Sequence, residues 1–352
     1  MAVKCEQLLE AARRAGSWFV SRQTGKGNYI GNEPVDSKGI YPDTHDVGCY
    51  YKSIYFLRSV GEAAAAAKAM NYVVASFMSK DGDFYNTPEV RTSGSYTPNF
   101  CQLYPNMWLL RGAVMMGWYK LYRRIVGFLM RYRDSQTGGF YATVNPSTKV
   151  IDSNATGYGA LCCLIAGEEK AAFESIEMIL KMIDEQPDSD RMYLRWEQGK
   201  GYLADLSNVP DKQLLYHVID AKKPAQAYWC WAWPMNTLIG MYEYTGQKRY
   251  LDGAIRIYDF LAGCHENAFA FTTAGKGGWG SSMLYRITSD RRYLRTAMSQ
   301  MEWILAAQHN DGYMLGPGAK NIDDQPLRTT YDYTADFSTW LVGTAIELAG
   351  RI

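Results

Sequence analysis

Apolar positions recur at helical spacing in paired segments along the chain, and the pairing repeats six times. The first pair reads QLLEAARRAGSWFVSRQ and CYYKSIYFLRSVG, the second AAAAAKAMNYVVASFM and MWLLRGAVMMG, the third YKLYRRIVGFLMRYR and ATGYGALCCLIAG. EKAAFESIEMILKMIDE and AYWCWAWPMNTLIGMYEYTG form the fourth, KRYLDGAIRIYDFLAGC and WGSSMLYRITSD the fifth, RRYLRTAMSQMEWILAAQ and FSTWLVGTAIELAG the sixth. Within each pair a long loop rich in glycine and aromatics separates the two helices. Between pairs the link is short, and several second helices run into a glycine, at Gly61, Gly117, Gly167 and Gly246. Short links make antiparallel helical neighbours. The pattern predicts six helical hairpins and no long strand, with GGFYATV expected to pair only locally.

Hairpins that cannot bury their apolar faces alone stack into an open solenoid or close into a ring. QHNDGYM at 308–314, DSQTGGFY at 134–141 and TGQKRYLDGA at 245–254 resemble the punctuation of six-hairpin α/α toroids. That superfamily includes terpenoid cyclases, protein prenyltransferase β subunits, linalool dehydratase/isomerase-like proteins and many carbohydrate-active enzymes. The resemblance implies an all-α (α/α)6 barrel, a single domain over residues 1–352, with twelve principal helices in two layers. The first helix of each unit would lie outside and the second inside, with inner-helix N-termini and long loops meeting at one mouth.

Composition narrows the functional classes. Hydrophobic residues make up 47% and charged residues 21% of 352, enough for a large core and against disorder. Lys and Arg number 37 against 36 Asp and Glu, a formal net charge of +1. That balance argues against a nucleic-acid surface and a polybasic membrane patch. No apolar run spans a bilayer, and the N-terminal residues lack the pattern of a secretory signal. Seven cysteines show no small-domain disulfide framework. These features predict a cytoplasmic protein acting on a small molecule, with a homo-oligomer compatible.

The stretch YPDTHDVGCYY at 41–51 opens the first inner helix. Asp43 and Asp46 suit either helix capping or proton transfer, and His45 either a hydrogen-bonded core role or a proton relay. Corresponding places in other units carry similar residues: Tyr104 and Asn106 before Trp108, Asp152 and Asn154 before Tyr158, Tyr228 to Cys230, and Tyr331, Asp332 and Asp336. The catalytic candidates are Asp43, His45, Asp46, Asp152 and Asp336. The candidate substrate-binding aromatics are Tyr50, Tyr51, Trp108, Tyr158, Trp229, Trp231, Trp279 and Tyr331. AYWCWAWP crowds too many large rings to point one way, so some should face a central cavity.

No cofactor or metal is expected. The four histidines form no HExxH, and CxxC is absent. GGFYATVNPSTKVIDSN resembles the Asp-bearing segment of prenyltransferase β subunits, but Asn154 stands where their cysteine ligand would be. WCW and Cys264–His265 resemble the zinc ligands of lanthionine cyclases without the adjoining glycines. No DxDD acid, phosphate loop or nucleophile elbow appears, and Asp323–Asp324 reads as a solvated turn. The leading reading is a cofactor-independent enzyme that dehydrates, isomerises or cyclises a mostly apolar, isoprenoid-like substrate. The alternative is a carbohydrate-active hydrolase, lyase or epimerase with paired carboxylates, although the tryptophan–aspartate signature of unsaturated glycuronyl hydrolases is not visible. A non-catalytic binding scaffold is the third.

Overall fold

The computed structural model describes residues 4–31, 47–85, 103–144, 149–265, 268–269 and 275–352. Among these residues there are thirteen α-helices and five short strands. They group into two compact units. One is drawn from Met1–Ser95, Pro105–Phe128 and Met301–Ile352, the other from Tyr96–Tyr104 and Leu129–Gln300.

The first unit holds α1 (Cys5–Arg22), α2 (Ser53–Ser59), α3 (Ala63–Phe77), nearly all of α4 (Tyr104–Met115) and α5 (Tyr119–Leu129), and α13 (Leu327–Leu348). α13 packs on α1 and α2, and α2 packs on α3. The division of labour follows the sequence pattern: α1 keeps a polar face, while the middle of α13, from Ala335 to Val342, is buried without interruption. Tyr29 stacks between Tyr50 and Tyr331, with ring centroids 4.9 and 5.0 Å away.

The second unit contains α6 (Ser153–Ile165), α7 (Glu169–Asp184), the single turn α8 (Asp211–Leu214), α9 (Trp229–Thr245), α10 (Lys248–Ala262), α11 (Gly275–Thr288) and the start of α12 (Arg291–Ala306). α9 is its centre, packed on α6, α10 and α11. Small residues bring α6 and α9 very close: a Cβ on Gly157 would sit 2.6 Å from the Pro234 ring. Thr237 Oγ1 donates to the Gly157 carbonyl at 2.8 Å, and Tyr158 stacks on Trp233 with centroids 4.0 Å apart.

One local device recurs. After α1, α3, α5 and α12 the chain makes a tight turn closed by a single antiparallel bridge: Gln23 with Tyr29, Met78 with Phe84, Arg133 with Phe140, and Gln308 with Met314. Each turn carries a glycine at positive φ whose Cα faces the backbone carbonyl of another first helix. Gly312, at φ 102°, shows why no other residue fits: a Cβ there would lie 2.5 Å from the Arg14 oxygen. In the third and sixth repeats a threonine of the following helix accepts from the bridge, Thr156 from Phe140 N at 3.0 Å and Thr334 from Met314 N at 2.9 Å.

The fourth loop departs from expectation. With β1 (Val150–Asp152) of the third loop it builds two small antiparallel sheets, β1, β3 (Arg195–Glu197) and β4 (Gly201–Tyr202) in one, β2 (Arg191–Tyr193) and β5 (Val218–Asp220) in the other. Strands of two or three residues are too short to leave a period of two in the sequence.

Candidate functional site

Asp152 ends β1 and caps α6. Its extended backbone lets the carboxylate accept from Ala155 N at 2.8 Å, the usual way an acid satisfies a free helix N–H. Pairing with β3 sets Asp152 opposite Arg195. Ser153 N donates to the Leu194 carbonyl at 2.9 Å, and Leu194 N to the His217 carbonyl at 2.8 Å. Three separate stretches thus bring an acid, a guanidinium and an imidazole into one region of the second unit.

Asp152 is 1% exposed and Arg195 8%. Burial raises the Asp152 carboxyl pKa, with the Arg195 charge and the helix N–H groups pulling the other way. Burial lowers Arg195, and Asp152 and Cys230 counteract it. Burial and the Arg195 charge together lower His217 to about 4, so its ring is neutral at physiological pH. Among the described residues, Arg195 Nε and Nη2, His217 Nδ1, Ser153 Oγ, the Asn154 amide and Trp231 Nε1 are buried without a hydrogen-bond partner. Buried donors are normally paired.

Asp336, in the first unit, has a different setting. Lys52 Nζ lies 3.2 Å from its carboxylate and 3.1 Å from that of Asp332, and stands over the Tyr51 ring at 5.3 Å. This carboxylate is held as an ion-pair partner. Asp43, His45 and Asp46 lie outside the described residues. Asp323 and Asp324 sit in an exposed 3-10 turn capped by Asn321, as a solvated turn should.

The aromatic candidates divide by exposure. Tyr50, Tyr51, Trp108, Tyr158, Trp231 and Tyr331 are fully buried. Trp108 meets Trp340 edge-on at 5.9 Å, and Arg111 lies over its ring. Trp229 and Trp279 keep part of their surface open. Trp279 stands edge-on to Trp233 at 6.5 Å, and Lys276 lies over Trp233 at 5.9 Å. The rings of AYWCWAWP are largely spent on packing, because α9 is buried on nearly every side.

Arg195 is the residue sequence reasoning missed. It sits in a three-residue strand inside a long loop, with no motif around it. His217 was visible only as one of four histidines. Among the described residues no group of three or more His, Cys, Asp or Glu is placed to hold a metal ion. None of the helices described is long and apolar enough to cross a membrane.

No protein-family model matches the chain, and no curated protein sequence matches it. Solved structures do. A glycoside hydrolase family 76 mannosidase from Bacteroides thetaiotaomicron superposes with a TM-score of 0.62, at 14% identity over 95% of this chain and 98% of that one. D-mannose isomerase gives 0.65 at 11% identity over 95% and 96%. An unsaturated glucuronyl hydrolase specific for heparin gives 0.58 at 11% identity over 98% and 97%. The likeness shows the fold: an all-α architecture of the (α/α)6 class.

It also corrects the expectation of an isoprenoid-like substrate. The structural neighbours are carbohydrate-active enzymes, so dehydration, isomerisation or cyclisation of an apolar chain gives way to the carbohydrate alternative. The physical reason agrees, since the buried region around Asp152 is rich in unpaired polar atoms. A mostly apolar ligand would leave them unsatisfied.

Proposed function

We propose that the chain is a carbohydrate-active hydrolase that cleaves a sugar bond beside an anionic group, with Asp152 as the proton donor. The two units are read as parts of one (α/α)6 domain over residues 1–352. The observation that carries this is a buried carboxyl with raised pKa set opposite a buried guanidinium that has two unbonded N–H groups. A guanidinium presenting free N–H groups matches a sugar carboxylate or sulfate. A carboxylic acid that stays protonated toward neutral pH suits protonation of a leaving oxygen. One structural neighbour is an unsaturated glucuronyl hydrolase specific for heparin, which fits an acidic substrate.

Asp152 gives its proton to the glycosidic oxygen as the C–O bond breaks. Water supplies the hydroxyl to the sugar, and its released proton restores the acid. Asp43, Asp46 and His45 are kept as proton-transfer candidates on the sequence argument alone. Trp229 and Trp279 are kept as ring-stacking residues, because they retain open surface. A cytoplasmic setting fits the six described cysteines, all free.

The test is a substrate panel of unsaturated heparin disaccharides, α-1,6-mannotetraose and D-mannose. Cleavage of the acidic disaccharides is expected. Asp152→Asn should keep the fold, since Asn caps almost as well, and lose roughly a hundredfold or more in turnover. Full turnover by Asp152→Asn, or activity confined to mannotetraose or mannose, would overturn the reading.

A further inference from the structure

At the end of α12, in the first unit, a groove of about 350 Å³ opens between the last turn of the helix and the segment around Leu315 and Pro317. That volume lies at the lower end of ligand pockets. Trp303 lines it with a half-exposed indole, steadied edge-on by Phe337 at 5.5 Å. His309 and Asn310 line it as well. The imidazole stacks on Tyr313 at 4.4 Å, and its Nδ1 accepts from Asp311 N at 3.2 Å. The Asn310 side chain is exposed.

We propose that this groove is a second carbohydrate-binding site, taking a short stretch of neutral pyranose rings against Trp303. Three features carry this. An indole face offers apolar contact to the C–H face of a sugar, while imidazole and carboxamide groups offer hydrogen bonds to hydroxyls. Among the described residues that line the groove there is no Lys, Arg, Asp or Glu, which favours a neutral ligand. Its wall is fixed before binding: Gln308 Nε2 donates to the Ala11 and Gly312 carbonyls at 2.8 and 3.0 Å, and Arg14 donates to Gln308 Oε1. A rigid wall loses little entropy on binding.

The larger groove between α7 and α10 is the contrasting case. It is lined by Glu177, Asp184, Arg249 and Arg256, which already pair with one another. The described residues that line it include no aromatic ring.

The inference rests on the carbohydrate reading for its ligand class but not on Asp152 or Arg195. Calorimetry and saturation-transfer NMR with maltotetraose, cellotetraose and α-1,6-mannotetraose test it, using Asp152→Asn protein so that no probe is consumed. At least one probe should bind. Adding Trp303→Ala should weaken binding about tenfold or more, and adding Arg195→Met should leave it unchanged. Asn310→Ala, at an exposed position, should weaken it several-fold without touching the fold, which guards against a misfolded Trp303 variant. With Asp152 intact, Trp303→Ala should still cleave an acidic disaccharide at near wild-type rate. Absence of binding by all three probes, or binding that depends on Arg195 and not on Trp303 or Asn310, would overturn the second site while leaving the proposed hydrolase standing. Loss of acidic-disaccharide cleavage in every protein, with neutral binding intact, would sink the hydrolase alone.

Discussion

Asp152 and Arg195 lie opposite each other across an antiparallel strand pair, yet the guanidinium keeps Nε and Nη2 unbonded among the described residues. The cation therefore acts on the acid through its charge, and it opposes the dominant effect of burial. Removing it should make the carboxyl harder still to ionise. Arg195→Met is expected to move the alkaline limb of the kcat profile to higher pH and to weaken an acidic substrate by about tenfold or more. A pH–rate series on the variant checks both. An unmoved limb would mean that the two groups do not share a site.

His217 gives a stability signature. Its folded pKa is about 4 against an ordinary 6.5, with burial the larger cause and Arg195 the second. Between those values the unfolded chain binds a proton that the folded chain refuses. The contribution is therefore present above pH 6.5 and lost as pH falls through about 4. His217→Gln should flatten the fall in stability across that window. Urea titrations near pH 7 and pH 4.5 measure it, and an unchanged difference between the two would refute the assignment.

The α6–α9 contact sets the position of Asp152, five residues upstream of Gly157. A Cβ at Gly157 meets backbone and ring atoms of Pro234, with no flexible side chain to give way. Gly157→Ala should cost about 1–3 kcal/mol by overpacking, with a matching fall in melting temperature. Unaltered thermal denaturation would show that the helices can separate freely.

Lys52 balances two carboxylates, and its side chain and that of Asp336 are each 7% exposed. Lys52→Met would leave Asp332 and Asp336 without that cation, a loss of roughly 3 kcal/mol. Lys52→Arg, which keeps the charge, should recover part of that loss. Urea titrations of both variants check this, and equal losses in Lys52→Met and Lys52→Arg would argue that the charge of Lys52 is not what matters.

Much of the architecture was legible because helical periodicity is local and repeated. Gly246 marks the end of α9 at φ 71°, and the same signal stands at Gly61, Gly117 and Gly167. Asp152 was legible as a site candidate for the same reason, since an acid before an apolar helix is a local pattern. Arg195 was not. Its place opposite Asp152 arises from a three-residue strand pairing across more than forty residues, which no period records. Tyr50 and Tyr331, candidates in the sequence, stack on either side of Tyr29, a contact that spacing along the chain does not record. The choice of an apolar substrate failed because composition counts rings and methyl groups, and says nothing of which buried polar atoms lack partners.

The contact of Gln308 and Gly312 with α1 has a consequence for synthesis. Ala11 and Gln308 are 297 residues apart, yet they share a hydrogen bond, and α13 packs on the same helix. During synthesis α1 gains these partners only after nearly 300 further residues have followed. Until then its apolar stripe, with Leu8, Ala12, Ala15 and Phe19, lacks the cover that α13 and the last turn supply. Non-local closure of this kind is slow, and exposed apolar surface invites aggregation while it is awaited. Ribosome-bound chains truncated before residue 300 should therefore retain a protease-sensitive α1.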